Sequence, residues 1–125
     1  MLSDARVEAT VPARDLERAA EFYGTVLGLP GGGALEPRAD LLYELGAGST
    51  LLVYEWVGGP LPHVTVAHFV VDDVPGAVRD LQARGVVFDA YDLPELKTVG
   101  AVAQVGDHQF AWFKDPDGNV LGIRD

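Results

Sequence analysis

The chain contains no cysteine, so a disulfide framework, a thiolate nucleophile and a thiolate metal site are all excluded, and any metal ligands must come from His, Asp and Glu. Basic side chains are also scarce. Nine Lys and Arg face nineteen Asp and Glu, and the formal charge of −10 repels phosphate backbones and anionic lipid surfaces, which excludes nucleic acid and membrane as partners. No apolar run approaches the roughly 20 residues of a bilayer span. The opening MLSDARVEAT lacks the basic-then-apolar pattern of a signal peptide. Together with the missing cysteines, these absences lead to the expectation of a soluble, cytoplasmic protein.

What is present is enough to build a core. With 125 residues and 48% hydrophobic content, a single domain over residues 1–125 is expected. Within it the chain is written twice, as module 1 over about 5–58 and module 2 over about 63–125. In module 1, RVEATVPA from Arg6 alternates as a half-buried strand, and Asp15 stands where an N-cap belongs. Leu16, Ala19, Ala20, Tyr23, Val26 and Leu27 then form one helical stripe, which Gly28 is placed to terminate. LLYELGAGSTLLVYEW reads as two strands joined by GAGS.

Module 2 repeats the order. TVAHFVV is a strand, Asp72 and Asp73 offer an N-cap, and Val74, Ala77, Val78 and Leu81 make a helical stripe ending at Gly85. A slide of 58 residues lays Glu8 on Val66 and Thr10 on His68, and a slide of 70 lays GSTLL, from Gly48, on GNVLG, from Gly118. The repeated unit is thus β-α-β-β-β, with one helix on the outer face of each module and inner faces enclosing a cavity, an α+β arrangement. Residues 86–107 are longer than their counterpart and hold Pro94 and several glycines, so they are expected to form a lid or edge loop. GGG at 31–33 is expected to be a flexible turn rather than a phosphate cradle, since no clear helix or nearby Lys follows it.

Three stretches in this order, ARDLERAAEFYGTVLGL, VVDDVPGAVRDLQARGV and AWFKDPDGNVLGI, resemble the vicinal-oxygen-chelate superfamily. That superfamily includes glyoxalase I, extradiol dioxygenases, fosfomycin-resistance proteins and bleomycin-binding proteins. The resemblance implies paired βαβββ modules forming a cupped, mostly antiparallel sheet, often assembled as a homodimer. It leaves the activity open, because one scaffold serves several chemistries and pure binding.

In metal-dependent members the ligands come from the first and last strands of each module. Carried over by motif, those slots are Glu8, Leu52, Val66 and Gly122, and only Glu8 can bind a metal. The family metal site therefore reads as dismantled, and no cofactor is implied. A shifted site would combine Glu8 and His68 with a third ligand, and Glu55, His63 and His108 are the other residues weighed for it.

Glu8 and His68 stand on equivalent strands of the two modules and are the best acid–base candidates, Glu8 as base and His68 as proton donor. The plain alternatives are a solvated carboxylate and a structural histidine. Leu52, Tyr54, Trp56, Thr10 and Val66 are candidate ligand contacts, with the aromatic rings suited to a flat ligand. Trp112 joins them, and Tyr91 and Asp92 would be rim groups. Arg124 is the cation beside the empty slot, holding an anionic ligand or balancing Glu8.

Three functions follow. The first is a non-metal small-molecule binder of the drug-sequestering or resistance type. The second is a lyase or isomerase acting on a carbonyl compound through Glu8 and His68. The third is a non-catalytic interaction subunit.

Overall fold

The computed structural model describes residues 1–35 and 39–125. The chain divides into two compact units, Met1–Pro60 and Leu61–Asp125. In the first, β1 (Ala9–Ala13) leads into α1 (Leu16–Ala20), whose axis continues through a wider-turned segment over Glu21–Val26. Strands β2 (Gly31–Leu35), β3 (Asp40–Glu44) and β4 (Thr50–Glu55) follow. They form a mixed sheet of order β1-β4-β3-β2 with β1 parallel to β4.

Alternation decides which face of this sheet is buried. Val11, Ala13, Leu41, Tyr43, Leu51 and Val53 point one way and are buried, together with Ala19 and Tyr23 of the helix. The helix is set by its ends. The Asp15 carboxylate accepts from the main-chain N–H of Glu17 at 3.0 Å and of Arg18 at 3.1 Å. Gly28, at φ +71°, turns the chain out at the other end, as the stripe predicts.

The glycine run at 31–33 is a strand, not the flexible turn expected. It pairs with β3 through a bulge between Gly31 and Gly33. Gly31 and Gly32 have φ of +99° and +81°, and a Cβ on Gly32 would lie 2.8 Å from the Tyr43 ring. The glycines are needed by the bulge and by the close approach of Tyr43.

In the second unit, β5 (Thr65–Val70) precedes α2 (Val74–Ala83), followed by β6 (Asp92–Leu93), β7 (Leu96–Val99), β8 (Val102–Val105), β9 (His108–Lys114) and β10 (Val120–Arg124). The order is β5-β10-β9-β8-β7-β6, again mixed, with β5 parallel to β10. Asp73 caps α2 by accepting from Gly76 N–H at 3.0 Å. The helix ends at Gly85, φ +94°, where Val86 N–H reaches back to the Leu81 carbonyl at 3.0 Å. Val74 and Val78 of α2 are buried along with Ala111, Phe113, Leu121 and Ile123 of the sheet. Each Val, Leu, Ile or Phe side chain so buried contributes on the order of 1.5–3 kcal/mol.

Residues 86–107 are therefore not a lid loop. They carry β6, β7 and β8, which extend the sheet edge as a meander. Two-residue turns make this possible: Gly100 and Ala101, both at positive φ (+58° and +72°), join β7 to β8, and Gly106 at +60° opens the turn from β8 to β9. The glycines that suggested a loop are hairpin turns.

The internal repeat is visible in the strand register. Thr10 stands beside Leu52 and Val11 beside Val53 in the first unit. His68 stands beside Gly122 and Phe69 beside Ile123 in the second. These are the same pairs after slides of 58 and 70 residues. Leu42 opposite Leu52 likewise corresponds to Trp112 opposite Gly122.

The turn between β9 and β10 closes the second unit. Asp115, buried, accepts from Asp117 N–H and Asn119 N–H, both at 2.9 Å, and from the Asn119 side chain at 2.8 Å. Gly118 takes φ +83°, a conformation that L side chains rarely adopt.

Candidate functional site

The face of the second sheet that points away from α2 collects most of the functional candidates of that unit. Because Ala111, Phe113, Leu121 and Ile123 are buried with the helix, strand alternation turns Phe110, Trp112, Gly122 and Arg124 the other way. His68 enters the same face from β5, beside Gly122.

These side chains form a connected row. Phe110 and Trp112 lie nearly parallel, with centroids 5.7 Å apart and planes at 10°. Tyr91 meets Trp112 edge-on at 5.5 Å, and His68 meets Phe110 edge-on at 5.8 Å. The Arg124 guanidinium carbon stands 5.6 Å from the Phe110 centroid. Tyr91 is held there by the main chain, since its N–H donates to Thr98 Oγ1 at 2.9 Å and its carbonyl accepts from Thr98 N–H at 2.9 Å. Tyr91, Phe110, Trp112 and Arg124 are half-buried, while His68 is exposed as a residue with its ring against buried Gly122. Desolvation of the His68 ring, and then the charge of Arg124, lower its pKa from the usual value, which favours the neutral imidazole.

Phe110 is the member that sequence reasoning missed. Its signal was present, because it precedes Trp112 by two residues and therefore shares its face. The approach of Tyr91 had no local signal. Asp92, at the start of β6, is exposed and pairs with Lys97 at 3.7 Å.

In the first unit, Thr10, Leu52 and Leu42 share the face that points away from α1, as do Pro12 and Tyr54, which stand side by side. Thr10 is exposed, and Leu52 and Tyr54 are half-buried. Glu8 precedes β1, is exposed, and accepts from Thr50 Oγ1 at 2.7 Å. Its neighbour Val7 is 89% exposed, because the strand begins only at Ala9. Trp56 lies beyond the end of β4, where its indole N–H donates to the Gly59 carbonyl at 2.9 Å and its ring packs on Gly58. It is turned into its own loop.

The slot residues do not fit a divalent ion. In the first unit only Glu8 offers a donor; in the second, Val66 and Gly122 offer none. At Gly122 the space for a ligand side chain is taken by His68, since a Cβ there would stand 2.7 Å from Nε2. His63 is engaged with the Gly118 carbonyl at 3.2 Å and His108 with Asp125 at 3.4 Å. Among the described residues no three His, Cys, Asp or Glu side chains are grouped to hold a metal.

A concavity of the second unit, about 570 Å³, lies on the opposite face between α2 and the β7–β8 hairpin. It is lined by Val78, Arg79, Gln82, Leu96 and Val102 and contains no aromatic side chain. The aromatic face carries the more distinctive chemistry. No described helix is long and apolar enough to cross a membrane.

Solved structures share this architecture. An antibiotic binding protein, TnmS3 from Streptomyces sp. CB03234, is 26% identical, with 96% of this chain and 95% of that one covered at a TM-score of 0.67. A glyoxalase/bleomycin resistance protein from the same organism is 27% identical, with 93% and 96% covered and a TM-score of 0.62. A member of the same superfamily from Sphaerobacter thermophilus DSM 20745 is 25% identical over 98% of both chains, with a TM-score of 0.71. Comparison with curated proteins finds no match. The family description Glyoxalase/Bleomycin resistance protein/Dioxygenase superfamily matches residues 6–123, nearly the whole chain, and with the two repeated β-α-β units it establishes that the protein belongs to that superfamily.

Proposed function

We propose that this protein binds a planar, largely apolar small molecule, in the manner of a sequestering protein rather than a metal-dependent enzyme. The observation that carries the reading is the row of half-buried Tyr91, Trp112 and Phe110 on one sheet face, two of them with ring planes at 10°. Such rings give a flat ligand a large contact area at low entropic cost. The likeness to an antibiotic binding protein, at 26% identity across 96% of this chain, supports the same class of ligand. A cytoplasmic homodimer is the setting in which we place this activity, and light scattering that returns the monomer mass would remove the dimer from the reading.

Titration with polycyclic aromatic natural products tests the central claim. In a Trp56→Phe background the remaining indole is Trp112, so saturable quenching of its emission reports a ligand on this face. A flat titration across a chemically broad set of such compounds would count decisively against the reading.

A further inference from the structure

We infer that this face selects planar aromatic ligands that carry an acidic group, with the Arg124 guanidinium as the anion anchor. The inference rests on the ligand-binding reading above and sharpens it to a chemical class.

Three observations support it. First, Arg124 is placed at one end of the aromatic row, with its guanidinium 5.6 Å from the Phe110 centroid. A ring lying against Phe110 and Trp112 would carry a substituent at that end directly to the cation.

Second, among the described residues no carboxylate side chain pairs with Arg124. Its hydrogen bond is from Nε to the main-chain oxygen of Asp125, at 3.1 Å. The Asp125 carboxylate is turned elsewhere, accepting from Gln109 N–H at 2.9 Å and lying 3.4 Å from His108 Nδ1. Lys114, a cation of the neighbouring strand β9, is by contrast neutralised by Asp89 at 2.8 Å. A half-buried guanidinium whose Nη nitrogens are not engaged by any described side chain is placed to take a ligand anion.

Third, His68 lies on the same face, beside Gly122, two positions before Arg124 on the neighbouring strand. Its neutral imidazole, favoured by desolvation and by Arg124, offers an N–H donor without repelling the guanidinium. The groups facing His68 from the strands packed against it are Arg124 of β10 and the uncharged Phe110 of β9. Among the described residues no acidic side chain is ion-paired with Arg124 or His68.

The test uses two probes of one shape, anthraquinone-2-carboxylate and anthraquinone-2-carboxamide, titrated calorimetrically at low ionic strength. The carboxylate is expected to bind roughly tenfold more tightly than the carboxamide, since a charge-assisted contact replaces a neutral one. Arg124→Gln should reduce that ratio to about one, with an unchanged thermal melt showing that the variant is folded, and Arg124→Lys should retain much of the preference. Equal affinity of the wild-type protein for the two probes, or a preference that survives Arg124→Gln, would overturn the inference while leaving the aromatic-binding reading intact. Absence of binding by both probes overturns the two together.

Discussion

The His68 imidazole fills the space that a side chain on Gly122 would need: the residues are register partners on β5 and β10, and a Cβ at position 122 would stand 2.7 Å from the His68 Nε2. Glycine and imidazole are thus a complementary pair, and the family's ligand position is filled by a ring arriving from the next strand. Gly122→Ala should lower stability by about 1 kcal/mol, within the range of mild overpacking, because the exposed ring can swing aside at modest cost. Adding His68→Ala should remove that penalty. Urea denaturation of the two single variants and the double variant measures the coupling, and strict additivity would show that the two positions do not share the space.

The same histidine should impose a pH dependence on stability. Its pKa in the folded protein is lowered by desolvation and by Arg124, from a reference of about 6.5. The unfolded chain therefore binds the proton first, and stability falls as pH drops from that reference value through the lower folded value. The contribution is fully present above the unfolded pKa. Comparing wild type with His68→Gln by thermal melts between neutral and mildly acidic pH should show a shallower slope in the variant. Parallel slopes would show that His68 titrates alike in both states.

Removing one ring from the row should weaken binding without unfolding the sheet. Trp112→Ala, read with a polycyclic aromatic probe by calorimetry, is expected to cost roughly tenfold in affinity, in line with loss of a stacking aromatic. Trp56→Ala should leave that affinity unchanged, because its ring is packed against Gly58 and its N–H is bound to Gly59. An equal loss from both substitutions would place the ligand elsewhere.

The β9–β10 turn should prove a strong point of stability. Asn119→Ala removes the buried side-chain bond to the Asp115 carboxylate at 2.8 Å, a change worth about 1–3 kcal/mol. Chemical denaturation reads it directly, and a change within error would mean that water replaces the lost donor.

Chelation should have no effect. The slot residues Leu52, Val66 and Gly122 offer no donor, and no grouping of three ligating side chains exists among the described residues. Dialysis against EDTA is therefore expected to leave the melting temperature unchanged, and a substantial drop would reveal a resident ion.

Local chemistry was legible in the sequence. The capping aspartates Asp15 and Asp73, the terminating glycines Gly28 and Gly85, and the Asp115–Gly118 turn act as their residue types require, since each works within a few positions of itself. The glycine-rich segments were harder. Gly31–Gly33 and Gly100 read as loops, but a positive φ serves a bulge or a two-residue hairpin equally well, and only the partner strand decides between them.

The sequence alone determined the two-fold repeat, the alternation that buries one face of each sheet, and the absence of metal-donor side chains at Leu52, Val66 and Gly122. Tertiary structure decided which residues meet. Tyr91 reaches Trp112 across 21 positions and His68 reaches Gly122 across 54, through strand pairing whose register no local pattern encodes. Side-chain period is a property of one strand, whereas the neighbour of a side chain is a property of two.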